Sequence, residues 1–268
     1  SLAAYAADSV LQMLEKSKSK NLAGLFAAER KYQALFKASQ GKGNYSVETF
    51  SPEGRRFSCF VVNPDSAEVK LIWKNAKGKV YGDFVSYKAE MEKAGKELLF
   101  ASNGGMYQPD QSAQGLFIEN GKIQQKLDGK KSGYGNFYLQ PNGIFLMTEN
   151  NKAQVVTTEM YQKMDISPKY ATQSGPMLLI DGEINSVLGA ESTNFHIRNG
   201  VGVDSKGRLV FIISNERVRF YELAEQFKQL GCKYALYLDG AISQTYAPTL
   251  GMNEPGGGFG VIIAVLKK

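Results

Sequence analysis

Two cysteines and a single histidine are all that this 268-residue chain offers of those two reactive side chains. Neither Cys59 nor Cys232 sits in a Cys-x-x-Cys step or beside a histidine, which argues against a zinc site of any familiar spacing. The surroundings of Cys232, Leu-Gly-Cys-Lys-Tyr-Ala-Leu, suit a small buried residue better than a reactive thiol. Whether the two sulfurs are bonded is open at this level. A Ser-His-Asp site would have to use His196, and no serine is singled out by its spacing. Missing too are the phosphate loop GxxxxGK[ST], a GxGxxG after a first strand, the GxSxG elbow and HExxH. No metal and no cofactor is therefore called for.

Long apolar runs are also lacking. A membrane-spanning helix needs about 18 or more apolar residues, and the longest candidate, Val261 to Leu266, has only the length of a strand. No integral membrane segment is expected. The chain starts at Ser1 rather than Met, as it would after removal of a signal peptide or after trimming in cloning. The first of these fits a periplasmic or extracellular protein of the cell envelope. Charge of one sign does not dominate: 32 basic residues face 26 acidic ones, for a formal net charge of +6. The lysines, among them Lys16, Lys74, Lys96 and Lys130, are scattered, with no basic stripe interleaved with aromatics, so nucleic acid is not an expected partner. A mildly basic, solvated surface also tolerates an anionic substrate.

The remainder is ordinary globular composition, 43% hydrophobic and 22% charged, long enough to bury a substantial core. Residues 2 to 40 carry helix-forming residues without proline, and the spacing of Leu22, Leu25, Phe26, Tyr32, Leu35 and Phe36 predicts a helical hairpin broken near Ser19 to Asn21. Past residue 42 the character changes to short β-branched and aromatic runs separated by glycine turns. Four stretches predict hairpins: 115–124, 138–147, 177–185 and 201–213, three of them with turn dipeptides, Asn120-Gly121, Asn142-Gly143 and Asp181-Gly182. Helices are predicted over 86–97 and 219–231, the second amphipathic and stopped by Gly231. The expected fold class is α+β: an N-terminal helical region over 1–42, then a largely antiparallel, hairpin-rich sheet system with packed helices over 43–268.

Candidate chemistry lies at strand ends. Asn103-Gly104-Gly105 follows the strand Leu-Leu-Phe-Ala-Ser, and paired glycines let a backbone approach a ligand or aim N–H groups at an anion. Gln173 and Ser174 precede the Gly175-Pro176 step, where polar groups suit sugar hydroxyls. Asp239 ends the apolar strand Tyr-Ala-Leu-Tyr-Leu and is the carboxylate best placed for acid, base or nucleophile work, with Gly240, Ser243 and Gln244 beyond it. His196 and Arg198 share one face of a strand, and an arginine there could grip a phosphate with its planar fork. Ordinary turns, loop caps and a structural histidine would produce the same residues.

Taken in order, these segments resemble the phosphodiester glycosidase family: Asn103-Gly104-Gly105-Met106-Tyr107, then "GLFIENGK", "QSGPMLLIDGEI", an arginine before "GVGVDSKGRLVF", and "ELAEQFKQLGC" running into Leu238-Asp239-Gly240. The resemblance spans roughly residues 98 to 265. It implies a hydrolase that cleaves the bond between a sugar's anomeric carbon and a phosphodiester, with a small-molecule or glycan phosphodiester as substrate. It assigns catalytic roles to Asp239, Arg198 and Asn103, the last two on the phosphate together with the Gly104-Gly105 backbone. Tyr107, Gln173, Ser174, Gly175, His196, Gly240, Ser243 and Gln244 become the substrate-binding set. Family members typically read Leu-Asp-Gly-Gly-Gly-Ser at the last corner, whereas Ala241 and Ile242 stand here where two glycines are usual. That bulkier corner leaves an alternative, a non-catalytic glycan- or cell-wall-binding module on the same fold. The sugar, the aglycone and the oligomeric state are not encoded legibly.

Overall fold

The computed structural model describes residues 43–239 and 243–268; the helical hairpin predicted over 2–40 lies outside them. The elements follow in the order β1 (Tyr45–Phe50), β2 (Arg56–Val62), β3 (Ala67–Ile72), α1 (Phe84–Lys93), β4 (Leu98–Asn103), β5 (Phe117–Glu119), β6 (Lys122–Gln125), β7 (Gly143–Met147) and β8 (Ala153–Thr157). Then come α2 (Thr158–Lys163), β9 (Tyr170–Ser174), β10 (Met177–Ile180), β11 (Glu183–Ile184), β12 (Asn199–Asp204), β13 (Leu209–Ser214), α3 (Phe220–Gln229), β14 (Cys232–Asp239), β15 (Thr245–Tyr246) and β16 (Ile262–Lys267). The strands form three sheets, ordered β1-β2-β13-β12-β14-β10-β11, β15-β4-β16-β3 and β6-β5-β9-β7-β8. Every named strand pair is antiparallel. The class is thus α+β with antiparallel sheet dominant and few helices among the described residues.

One core is shared by all three sheets. Phe60, Val201, Phe211, Leu236 and Leu238 come from the seven-stranded sheet, Leu71, Phe100 and Ile263 from the four-stranded one, and Phe117 and Phe145 from the five-stranded one. The opposite face of the seven-stranded sheet packs against α3. Side chains on a strand alternate, so Ala235 and Tyr237 of β14 meet the buried helix residues Leu223, Ala224 and Phe227 while Leu236 and Leu238 enter the shared core. The amphipathic face expected of that helix therefore has its partner. Gly200 and Gly202 on β12 lie directly beneath it; a Cβ on Gly202 would fall 2.8 Å from the Phe227 ring and 2.9 Å from Cys232 Sγ. Glu222, buried on α3, is paired with Arg55 at 2.6 Å and Arg219 at 3.1 Å. At the other helix, Asp83 caps α1 by accepting the Ser86 N–H at 2.7 Å.

Three of the four predicted hairpins form. Asn120-Gly121 (φ 49° and 74°) turns β5 into β6, and Asp181-Gly182 (φ 51° and 82°) turns β10 into β11. β12 and β13 make the third. The stretch 138–147 does not fold back on itself: a 3-10 turn over Asn136–Tyr138 leads into β7, which pairs with β8 and β9. Asn142 is no turn residue there, because its buried amide donates to Phe137 O at 3.1 Å and accepts from Thr158 Oγ1 at 2.7 Å. Gly143 is small for packing, since Met177 Sδ fills the space a Cβ would need. Both cysteines are buried and free. Burial raises the Cys59 thiol to about 12 and pushes that of Cys232 up as well, so neither is a ready nucleophile.

Gly202→Ala would press a methyl group against the Phe227 ring. Overpacking of this kind costs about 1–3 kcal/mol, and urea unfolding should report a loss in that range.

Candidate functional site

The site grows from the ends of β4, β9, β12 and β14. Asn103 closes β4, pairs in register with Ile262 of β16 and is fully buried. Its Oδ1 accepts two N–H groups, the backbone of Gln244 at 2.9 Å and Nδ2 of Asn199 at 2.8 Å. Asn199 opens β12, and its register partner is Asp239, the last residue of β14. One buried amide therefore ties together the outgoing end of β4, the start of β12 and the segment following Asp239. Ser174, fully buried at the end of β9, donates to Leu238 O at 3.0 Å and fixes the last step of β14 before the carboxylate.

The two glycines after Asn103 exist because the chain threads between sheets. A Cβ on Gly104 would come within 2.9 Å of the Val261 side chain, and one on Gly105, whose φ is +121°, within 3.0 Å of Thr172 Oγ1. The Gly104 peptide is committed internally: its N–H donates to Val261 O at 2.7 Å and its carbonyl accepts from Thr172 Oγ1 at 2.6 Å. Its N–H therefore does not face a bound anion, contrary to the expectation for that corner. Tyr107 is partly buried against the cluster around Phe84 and Tyr87, with its backbone bridged to Ala113.

Two residues of the expected site point elsewhere. Gln173 precedes Ser174 on β9 and so presents its side chain to the opposite face. There its Oε1 accepts from Leu116 N and Asp128 N, both at 2.9 Å, and its Nε2 donates to Asp128 O at 2.8 Å. It holds the 116–128 connection and is no sugar ligand. Gly175 is likewise pressed between Phe137 O and Asn142 Cβ, at 2.5 and 2.8 Å from where its own Cβ would be.

Arg198 precedes Asn199 and turns toward α3. The guanidinium lies fully buried over the Phe220 ring, 3.6 Å from its centroid, and donates to Val218 O (3.0 Å), Asn194 O (2.9 Å) and Tyr237 Oη (3.2 Å). Among the described residues it has no carboxylate partner. Burial lowers its pKa, with Tyr237 opposing the shift. A head so enclosed fastens the 194–198 segment to 218–220 and does not grip an external phosphate. His196 is exposed and bridged through its backbone to Val218. Desolvation lowers its pKa, and the nearby cations Arg198 and Arg217 lower it further.

Sequence reasoning passed over Asn199, one polar residue opening an otherwise apolar strand, and the Gly256-Gly257-Gly258 loop. Gln244 links that loop to the corner: its backbone N–H serves Asn103 while its side-chain Oε1 accepts the Gly257 N–H at 2.7 Å. Ser243 beside it is partly buried. On their other side the three glycines line an open polar cleft of about 500 Å³, together with Lys79, Asp83, Ser86 and Gln111. Among the described residues no group of three or more His, Cys, Asp or Glu side chains is placed to hold a metal. No described helix is long and apolar enough to cross a membrane.

The antiparallel three-sheet scaffold brings the ends of β4, β9, β12 and β14 together at one corner, joined by the side chains of Asn103, Ser174 and Asn199. The chain belongs to the phosphodiester glycosidase family, whose sequence model matches residues 96–264. It is 36% identical to the uncharacterized protein YigE of Escherichia coli K12 over 189 residues, 70% of this chain and 73% of that one. Its fold is similar to that of the zebrafish N-acetylglucosamine-1-phosphodiester α-N-acetylglucosaminidase catalytic domain, auto-inhibited by its pro-peptide. There the TM-score is 0.55 at 15% identity, covering 84% of this chain and 83% of that one. It is also similar to a protein from Burkholderia pseudomallei described as exported, with a TM-score of 0.53 at 10% identity over 79% and 74% of the two chains. The family match starts at residue 96, yet β1 and β2 complete the seven-stranded sheet and β3 the four-stranded one.

Replacing Arg198 by Met keeps the stem and removes the fork. Leaving buried acceptors without a donor costs about 1–3 kcal/mol each, so urea unfolding should show a loss of at least about 2 kcal/mol. A surface phosphate grip would lose far less.

Proposed function

We propose that this protein hydrolyses a sugar-1-phosphodiester, breaking the bond between the anomeric carbon and the phosphate oxygen. The observation that carries the reading is the convergence of Asn103, Ser174, Asn199, Gln244 and the end of β14, which bears Asp239, at one corner of a family-matched fold. The leaving group, a phosphate monoester, is already a weak base, so general-acid help matters less than in ordinary glycoside hydrolysis. The greater requirement is negative charge beside a cationic sugar transition state. Asp239 supplies it, as electrostatic stabiliser, nucleophile or base toward water. Asn103, fixed by two N–H donors, holds the corner together, and we assign Ser243 to a polar group of the sugar.

The cleft behind Gly256–Gly258 adjoins the corner through Gln244, and its volume lies in the range of small-molecule sites. There we place the group on the far side of the phosphate. The description of the Burkholderia relative as exported supports a place of action outside the cytoplasm. Ala241 and Ile242, where the family typically keeps glycines, favour the second reading, a glycan-binding module without turnover.

Asp239→Asn, assayed on a sugar-1-phosphodiester, should lower kcat by about 10²–10⁴-fold, the range for loss of a positioned acid–base group, with the thermal unfolding midpoint retained. Unchanged turnover by the folded variant sinks the assignment of Asp239. A wild-type protein that binds a panel of sugar phosphodiesters and turns none of them over belongs to the binding-module reading.

A further inference from the structure

Gln173 has no part in the corner, yet on the other face of β9 its side chain holds a loop in place. Asp128 is fixed there at four atoms. Its N–H donates to Gln173 Oε1 at 2.9 Å and its carbonyl accepts from Gln173 Nε2 at 2.8 Å. Oδ1 of the same residue accepts the Lys130 N–H at 2.9 Å, and Oδ2 accepts the Tyr138 hydroxyl at 2.7 Å. The loop so anchored borders a cleft of about 200 Å³, whose lining includes Lys130, Lys131, Gln140, Thr157 and Gln162. Buried Asn142 and Thr158, bonded to each other at 2.7 Å, give the cleft a fixed wall. Its carboxylates are already engaged: Asp128 as described, and Glu159 with Lys163 at 2.7 Å. Lys131 stands near Glu159, whose pKa is held down first by Lys163. Among the described residues neither Lys130 nor Lys131 forms an ion pair. Uncharged groups are open as well. Gln140 spends Nε2 on Tyr138 O at 3.3 Å and keeps Oε1, while Thr157 Oγ1 accepts the Met160 N–H at 3.1 Å and keeps its own hydrogen. The exposed Gln162 amide makes no hydrogen bond among the described residues.

We infer that this cleft binds one acidic sugar unit, its phosphate or carboxylate on Lys130 and Lys131 and its hydroxyls on Gln140, Thr157 and Gln162. The charge favours an anion, since Lys130, Lys131 and Lys163 outnumber Asp128 and Glu159. A bare inorganic anion would leave the amide oxygens of Gln140 and Gln162 with little to accept, whereas sugar hydroxyls supply the missing donors. The volume falls below the roughly 300 Å³ at which drug-sized sites begin, which suits a single unit. Gln173, by fixing Asp128, is a positioning residue for the lysine loop. Because Gln173 faces away from the corner, the site holds an anionic glycan without touching the reacting bond, and it stands apart from the hydrolase reading.

Titrations of the full chain with glucose 6-phosphate, glucuronate, hexagalacturonate, glucose and inorganic phosphate test this. Amide NMR reads the segments 128–131 and 157–162 separately from the corner, and calorimetry gives the dissociation constants. At least one of the three sugar acids should shift those segments and bind about fivefold more tightly than either glucose or phosphate, the worth of one net hydrogen bond. Binding of a free sugar acid or of hexagalacturonate supports the site and names its source, monomer or polymer. Joint replacement Lys130→Gln and Lys131→Gln should weaken that binding about three- to tenfold, as for two exposed ion pairs. Gln162→Ala should lose the preference over inorganic phosphate. Should the double variant melt earlier than wild type, the two single variants are titrated with the same criterion. Lysine variants that bind as wild type overturn the inference, as does inorganic phosphate binding as tightly as the sugar acids. A wild type that binds none of the sugar acids, or binds them with shifts only elsewhere, overturns it too. None of these readings uses turnover, so the cleft and the catalytic corner succeed or fail separately.

Discussion

Burial of β14 on both faces is the constraint from which the site follows. Leu236 and Leu238 are locked into the core shared by three sheets, and Ala235 and Tyr237 are locked under α3. A slip of one residue would exchange the two sets, moving Tyr237 into the shared core and leucines toward the helix. The register is therefore over-determined, and with it the height at which Asp239 leaves the sheet. Ser174, hydrogen-bonded to Leu238 O, and Asn199, opposite Asp239, act on a strand that packing has already placed.

The same alternation decides which residues of each strand end belong to the corner. On β9, Ser174 reaches β14 while Gln173 ties down the 116–128 connection. At the start of β12, Asn199 meets Asn103 while Arg198 lies under α3. Pairs adjacent in sequence are thus divided between the corner and the rest of the scaffold. The scaffold halves are polar residues too, because they satisfy buried backbone carbonyls and N–H groups that packing alone would strand.

Much of this was legible in the sequence. Asn120-Gly121 and Asp181-Gly182 announce their turns because the positive φ they adopt is a local property. The stripe of Phe220, Leu223, Ala224 and Phe227 announces its helix for the same reason, and the apolar run into Asp239 announces its strand. Asn142-Gly143 carries the same local signal and obeys a different demand, the packing of Met177 and the capping of Phe137 and Thr158. Arg198 reads as an anion grip until the layer it faces is known. Asn199 was invisible because its meaning rests on Asn103, 96 positions earlier and in another sheet. Local chemistry is written in neighbouring residues; the sorting of polar residues into site and scaffold is written in layers that only the folded chain possesses.

Gln244 gives the corner a mechanical character. With its main chain it holds the buried amide of Asn103, and with its side chain it holds the glycine loop that walls the open cleft. The wall and the amide are thus consecutive links of one chain of hydrogen bonds. Gly256, Gly257 and Gly258 all have φ in the left-handed or mirror region, where glycine moves at little steric cost. An outward shift of this loop would pull on Gln244, one of the two residues that hold Asn103 Oδ1. The wall of the cleft and the alignment of the amides at the corner are in this way joined through a single residue, so that a disturbance of one is felt at the other.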